Sequence, residues 1–398
     1  MKSSIPLVAV ATLLTAEVNA DNLKDLVRNG SVSGNVRAYY NTRDYPEKTD
    51  EAGFALGGAL RAESGSLGLF NFGLGYYTAQ DLGLNSDDPA EVNKRLGEDL
   101  EVLAEAYGKL TFSNATFSAG RQKFNTPFAN PGDAFIIPFT FNGYSLESKP
   151  LESLTLKADY FTSIKNRNSD TFVNVGEWST ARYGVDVTGT SGTLNLGALY
   201  KAGGADAEIW FTDNAQLFRT LYLKAGYQFS GDSIKPFVGF QYAGQQETGD
   251  ALLGTVDSSL LGLQAGAAAG QAKFTLGYNS VAESQDAFKN GAFLSPYTFS
   301  TSPLFTNNML QTVENVDAGN AIKGTFNYAF GNSVKLKLSY ATFDFNNTAD
   351  RDAVDVDITY NFSGFYQGLS LRWRLEVVTS DVSSVEQTNN RFQLQFVF

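Results

Sequence analysis

The sequence ends Arg391-Phe392-Gln393-Leu394-Gln395-Phe396-Val397-Phe398, and the reading of this stretch decides the fold. Side chains alternate across a strand. Phe392, Leu394, Phe396 and Phe398 therefore share one face, and Arg391, Gln393 and Gln395 share the other. On a soluble protein this is an apolar edge strand that invites association. In a membrane β-barrel it is the closing strand, apolar toward lipid and polar toward the lumen. The segment alone leaves both readings open, and the rest of the chain separates them.

The same alternation recurs throughout. Val32, Val36, Ala38 and Tyr40 oppose Asn35 and Arg37; Leu56 and Leu60 oppose Arg61 and Glu63; Phe70, Phe72, Leu74 and Tyr76 fall on one side. Leu154, Leu156, Ala158 and Tyr160 interleave with Thr155, Lys157 and Asp159. Leu221, Leu223, Ala225, Tyr227 and Phe229 interleave with Tyr222, Lys224, Gly226 and Gln228. Val354, Val356, Ile358, Tyr360 and Phe362 interleave with Asp355, Asp357, Thr359 and Asn361. Period two is the strand signal, not the 3.6 period of helices. About eighteen such segments are found, each roughly the 9–11 residues that a tilted strand needs to cross a bilayer. The fold predicted is all-β: a transmembrane antiparallel barrel.

The connections alternate in length. Tight turns are expected at 64–66, 113–114, 189–192, 230–232, 269–270 and 331–332, where Gly, Ser, Asn and Asp supply turn chemistry. Long polar loops are expected at 41–53, 78–101, 163–182, 202–218, 243–258, 282–319, 344–353 and 379–390. Short turns on one side and long loops on the other are the asymmetry of an outer-membrane barrel. Residues 125–142 differ from the other loops. They carry Pro127, Pro131, Gly132 and Pro138 together with Phe128, Phe135, Ile136, Ile137, Phe139 and Phe141. A solvated loop would not be this apolar, so this one is expected to fold into the barrel and narrow it. Residues 282–319 also carry apolar side chains and are the second candidate for infolding.

Composition agrees and excludes other classes. The 398 residues include 31 Phe, 19 Tyr and 38 Gly, which suits strands with one apolar, aromatic-rich face. Cysteine and histidine are absent, which removes disulfides, thiolate metal sites, imidazole bases and His-dependent barrel hydrolases. The net charge of -12, with no basic run, argues against nucleic acid. Residues 1–20 read as a secretory leader: Lys2, an apolar run from Ile5 to Leu14, and small residues around Ala20. Residues 21–398 would then form one barrel domain, reached through the periplasm. No later stretch is apolar and long enough for a transmembrane helix, and the alternation starts too early to leave room for a plug domain.

Several stretches resemble the OprD family of outer-membrane porins of Gram-negative bacteria. They are residues 33–45 (SGNVRAYYNTRDY), 120–148 (GRQKFNTPFANPGDAFIIPFTFNGYSLES, with its P-x-T-F-x-G run) and 354–378 (VDVDITYNFSGFYQGLSLRWRLEVV, with G-L-S-L-R). The resemblance implies an eighteen-stranded barrel, constricted by its third and seventh loops, that passes small carboxylate-bearing solutes. Counting connections independently also puts the two apolar loops third and seventh. One departure bears on substrate. The family often places an arginine just before the L-L-P of the constriction loop, whereas this chain reads Phe135-Ile136-Ile137-Pro138.

Pores select by width, lining charge and field. Alternation assigns Arg37, Arg61, Lys109, Lys157, Lys201, Lys224, Lys235, Lys273, Lys323, Lys335, Lys337, Arg372, Arg374 and Arg391 to the lumen. The acidic set is Glu63, Glu105, Asp159, Asp186, Asp355, Asp357 and Glu376. Arg372 and Arg374 stand two residues apart on one face, and with Arg391, Lys335 and Lys337 they outline a basic ladder for carboxylates. The alternative is that these cations simply pair with Asp355, Asp357 and Glu376. Asp133 either opposes this wall or caps its own turn. The acidic outer loops (Asp81, Asp87, Asp88; Asp344, Asp350, Asp352) read as solvated charge rather than a metal site, and no cofactor is expected. Expected partners are outer-membrane lipid and lipopolysaccharide, the barrel assembly machinery through the terminal strand, and small solutes. The sequence leaves monomer and homotrimer both open. Two functions compete: a selective porin, and a major structural outer-membrane protein or adhesin with general pore activity.

Overall fold

The computed structural model describes residues 26–398, so the leader read at 1–20 lies outside the described residues. The strands in chain order are β1 (Ser31–Asp44), β2 (Glu51–Glu63), β3 (Phe70–Gln80), β4 (Leu100–Thr111), β5 (Ala115–Gln122), β6 (Thr140–Leu151), β7 (Leu154–Lys165), β8 (Phe172–Asn174), β9 (Thr193–Ala202) and β10 (Ala205–Asn214). They continue as β11 (Phe218–Gln228), β12 (Lys235–Glu247), β13 (Asp257–Ala269), β14 (Ala272–Val281), β15 (Gly319–Phe330), β16 (Val334–Phe345), β17 (Arg351–Asn361), β18 (Leu369–Thr379) and β19 (Gln387–Val397). Among the described residues, eighteen of them form one antiparallel barrel; β8 is a short strand inside a loop, and β7 pairs past it with β9. Closure is made by β1 and β19, in register from Asn35–Val397 to Asp44–Thr388. Phe398 and Gly34 complete the seam by exchanging two backbone hydrogen bonds of 3.0 Å. Closing the sheet leaves no strand edge unpaired, the condition for crossing hydrocarbon.

Exposure decides which face meets lipid. In the terminal strand Phe392, Leu394 and Phe396 are 44%, 44% and 42% exposed, while Arg391 and Gln393 are 0% and 4% exposed. Outward apolar residues repeat around the barrel, for example Val36, Leu60, Leu74, Leu156, Leu221 and Val354. At the short-turn end Phe112, Phe229, Phe330, Phe365, Tyr366 and Phe398 stay exposed as an aromatic girdle.

Three sequence expectations are corrected. Residues 202–218 are not a loop: Gly203-Gly204 makes a two-residue hairpin turn, Gly203 with φ of 56°, and β10 follows. The inward Trp210 hid this strand, because it sits where a polar residue is expected. It packs over Gly197 of β9, where a Cβ would meet the indole at 2.5 Å. Residues 189–192 are not a tight turn but the end of a long loop, 166–192, that carries β8 and the helix α1 (Val175–Tyr183). Asp186 therefore belongs to that loop, exposed and bound to Thr188, and not to a lumen-facing strand.

The apolar core lies inside the barrel, where infolded loops pack on inward-facing residues of the strands. Phe128, Phe293 and Leu304 pack on Trp210 and Tyr222 of the wall. Phe124, Phe139 and Tyr297 pack with Phe141 and Phe161.

Candidate pore constriction

The loop 123–139 leaves β5 and crosses the lumen to the opposite wall. Phe128 anchors one side, its ring edge-on to Tyr222 of β11 and to Phe293, each at 5.3 Å between centroids. Pro138 anchors another, its carbonyl accepting from the buried Lys165 ammonium at 3.0 Å. The tip reaches β1 and β18. Asp133 accepts from Arg37 at 2.9 Å and from Arg372 at 3.2 Å, and Arg37 also donates to the Phe135 carbonyl at 2.8 Å. Asp133 thus opposes the basic wall. The loop 282–318 lies against the same region, tied to the first by Asn130, which donates to the Thr301 carbonyl at 3.1 Å.

The two loops divide the lumen. Consecutive residues face opposite cavities: Asp133 and Thr301 line one of about 550 Å³, while Ala134 and Ser300 line one of about 490 Å³. Pro127, Glu208 and Trp210 line the first. Arg43, Arg351 and Gln387, at the long-loop ends of their strands, line the second.

Charge on the wall is distributed unevenly. Arg372 binds Asp357 through two bonds of 2.9 and 2.6 Å, and Arg374 lies 3.5 Å from the same carboxylate. Register places Arg374 opposite Asp357 on β17 and opposite Arg391 on β19, so arginines meet across β18 and β19 with a carboxylate on the strand beside them. Several other cations are matched: Lys109 with Glu63, Arg61 and Lys123 with Glu105, Lys157 with Glu147, and Lys224 with Glu208. Glu208 was missed because β10 was read as loop. Lys335 and Lys337 face inward without an ion pair among the described residues, opposite Thr359 and Asp357.

Other assignments change. Arg391, Asp355 and Glu376 point inward but do not line open water; they are 0%, 5% and 0% exposed. The second loop covers the two acids. Met309 donates its backbone N–H to Asp355, and Leu310 donates to Glu376, each at 3.0 Å. These carboxylates hold the loop down. Glu105 is likewise buried, gathering Arg61, Lys123 and Tyr77. Among the described residues no three metal-ligating side chains come together. Asp81, Asp88 and Asp350 instead accept from backbone N–H groups of their own loops.

The larger omission is a set of loop arginines. Arg95 and Arg167 both lie over the ring of Phe135, at 5.0 and 4.4 Å from its centroid, and Arg182 stacks on Phe299 at 4.0 Å. Burial, and then the neighbouring Arg391 guanidinium, pushes Arg167 down to about 9; burial with Arg391 and Arg43 likewise lowers Arg95. Alternation could not find them, because loops have no period. The Asp133 bridge is testable: Asp133→Asn removes a negative charge between two arginines. It should raise the anion-to-cation permeability ratio by about twofold to fivefold, read from the reversal potential in a salt gradient.

A family model described as outer membrane porin, OprD family, matches residues 24–397. A search of the curated proteins finds no match. Among solved structures the chain is similar to Pseudomonas aeruginosa OccK9 (OpdG), with 21% identity, a TM-score of 0.79, and 94% of this chain and 99% of that chain covered. A BenF-like porin from Pseudomonas fluorescens Pf-5 gives 16% identity and a TM-score of 0.81, covering 94% and 99%. Pseudomonas aeruginosa OccK2 (OpdF), solved in complex with glucuronate, gives 16% and 0.75, covering 94% and 97%. At such identities the likeness to these structures is one of fold.

Proposed function

The chain belongs to the OprD family of outer-membrane porins, and from that premise we propose that it passes small hydrophilic, carboxylate-bearing solutes by passive diffusion along a basic ladder. The observation that carries this reading is the band of Arg37, Arg372 and Arg374 at the loop tip that divides the lumen. A guanidinium binds carboxylate through a planar fork. A row of them on one wall offers successive sites, each weak enough to release its solute to the next, as conduction requires. Asp357 and Asp133 moderate the row: they share these arginines, so no single site binds too tightly. Lys335 and Lys337 extend it toward the short-turn end. The related OccK2 structure holds glucuronate, a carboxylate, which supports the solute class. In this reading the leader at 1–20 directs export, and the terminal strand is the signal for barrel assembly.

Planar-bilayer recording of the purified protein tests the reading. Step-like conductance increases, with faster liposome swelling in gluconate than in a neutral sugar of equal size, are expected. A protein that gives no steps is not a porin of this kind, and equal swelling rates would remove the carboxylate preference.

A further inference from the structure

The cavity of about 490 Å³ on the long-loop side is lined by Arg43, Arg95, Arg167 and Arg351, and by no aspartate or glutamate. Arg391 pairs with Asn41, two residues further in than Arg43 along the β1–β19 seam. None of these five arginines makes an ion pair among the described residues, unlike Arg37, Arg372 and Arg374 at the loop tip. Part of their donor set is spent, by Arg43 on Tyr45, by Arg351 on Gln311 and the Ala349 carbonyl and by Arg391 on Asn389, and the rest is not. Arg43 Nε, Arg95 Nη1, Arg167 Nε and Nη1, Arg351 Nε, and Arg391 Nη1 and Nη2 are buried without a hydrogen-bond partner. Arg167 is 6% exposed and Arg391 is 0% exposed.

Buried like charges with unmet donors are costly unless a counter-charge completes the site. The arginines are held in place despite that cost. Arg95 and Arg167 both lie over Phe135, and Arg167 also lies over Phe139 and Phe299 at 4.6 and 5.0 Å. Stacking fixes the guanidinium planes, so little freedom remains to be lost on binding. The arginines come from four separate places: β1, β17 and the loops after β3 and β7. Four guanidinium groups line this one cavity with no carboxylate among the lining residues. That much positive charge exceeds what a single carboxylate neutralises and suits an anion that carries several.

We propose that this vestibule is a binding site for compact organic anions with two or more carboxylates, such as a six-carbon tricarboxylate, which the channel captures before the ladder. The proposal deepens the porin reading and rests on it for the passage that follows capture. A monocarboxylate can engage only part of the ring of arginines, so each added carboxylate should tighten binding by roughly tenfold.

Calorimetric titration of the detergent-solubilised protein measures capture without requiring conduction, so it separates this proposal from the porin reading, which bilayer recording tests. Citrate should bind about a hundredfold more tightly than acetate, and succinate about tenfold more tightly. In Arg95→Gln/Arg167→Gln, confirmed as a folded barrel by its heat-modifiable gel migration, citrate affinity should fall by about tenfold or more. Arg43→Gln is a second variant, on the wall rather than the loops, and should weaken citrate in the same direction. Equal affinities for citrate and acetate would overturn the proposal, as would wild-type affinity in both variants. Inorganic phosphate binding as tightly as citrate would overturn the assignment to polycarboxylates.

Discussion

The double variant Arg372→Glu/Arg374→Glu should move the reversal potential strongly toward cation selectivity, lowering the anion-to-cation permeability ratio by about tenfold. The change replaces two positive charges with two negative ones at the loop tip. At about 6 Å in a water-like dielectric each unit of charge is worth roughly 0.7 kcal/mol to a passing ion. Four units, screened by salt over a Debye length of about 8 Å, leave an effect on the order of tenfold. A second consequence follows from the contacts. Arg372 holds both Asp357 and Asp133, so a glutamate there would repel both. The tip of the loop 123–139 would lose one of its two arginine anchors, and current noise should rise. Arg372→Gln/Arg374→Gln separates the two effects, because it removes the charge without adding repulsion and should give about half the selectivity shift. An unchanged permeability ratio in the Glu variant would show that these arginines do not face the ion path.

The barrel was legible because period two is imposed on nearly every strand by lipid outside and water inside. The terminal strand shows how far that extends: its outward phenylalanines and inward Arg391 were readable from sequence, as was its pairing with β1. Legibility failed where the alternation is broken locally. In β4, Ala104 is the extra residue of a bulge opposite Gly75 and Tyr76. It shifts the inward set from Glu105, Tyr107 and Lys109 to Leu100, Val102 and Ala104, all three of the latter buried. No residue type announces this. β10 failed for the opposite reason, since an inward tryptophan mimics an outward one.

The positions around the loop tip were partly legible. Alternation put Arg37, Arg372 and Arg374 on inward faces, where they lie, while for Asp133 the sequence left open whether the side chain opposes that wall or caps its own turn. What sequence could not supply is which inward cation meets which carboxylate. Arg372, read as part of the ladder, is held by two carboxylates, whereas Arg391 is inward, covered and without an ion pair among the described residues. The loop arginines 95 and 167 needed the folded loops to bring them to Phe135, about forty residues from the first and thirty from the second along the chain.

Replacing residues 127–136 with a short Gly-Ser turn should raise single-channel conductance severalfold while leaving the barrel folded. The strands are held by their own ladders and by closure through β1 and β19, neither of which uses this loop. A barrel of this strand number encloses an aqueous channel wide enough to need a loop to restrict it. Removing the segment deletes Phe128, Asp133 and Phe135 together, so the cavities of about 550 and 490 Å³ become continuous. It also strips the stacking partner from Arg95 and Arg167, so selectivity among solutes should fall as conductance rises. Phe128→Ala is the milder form. Truncating a buried aromatic of this size costs about 3–5 kcal/mol of local packing, here the attachment to Tyr222 and Phe293. It should produce flicker between the native conductance and a larger one, rather than a stable wide pore. Native conductance in the replacement variant, in protein shown by gel migration to be folded, would mean that another segment sets the width, and the loop 282–318 would become the one to shorten.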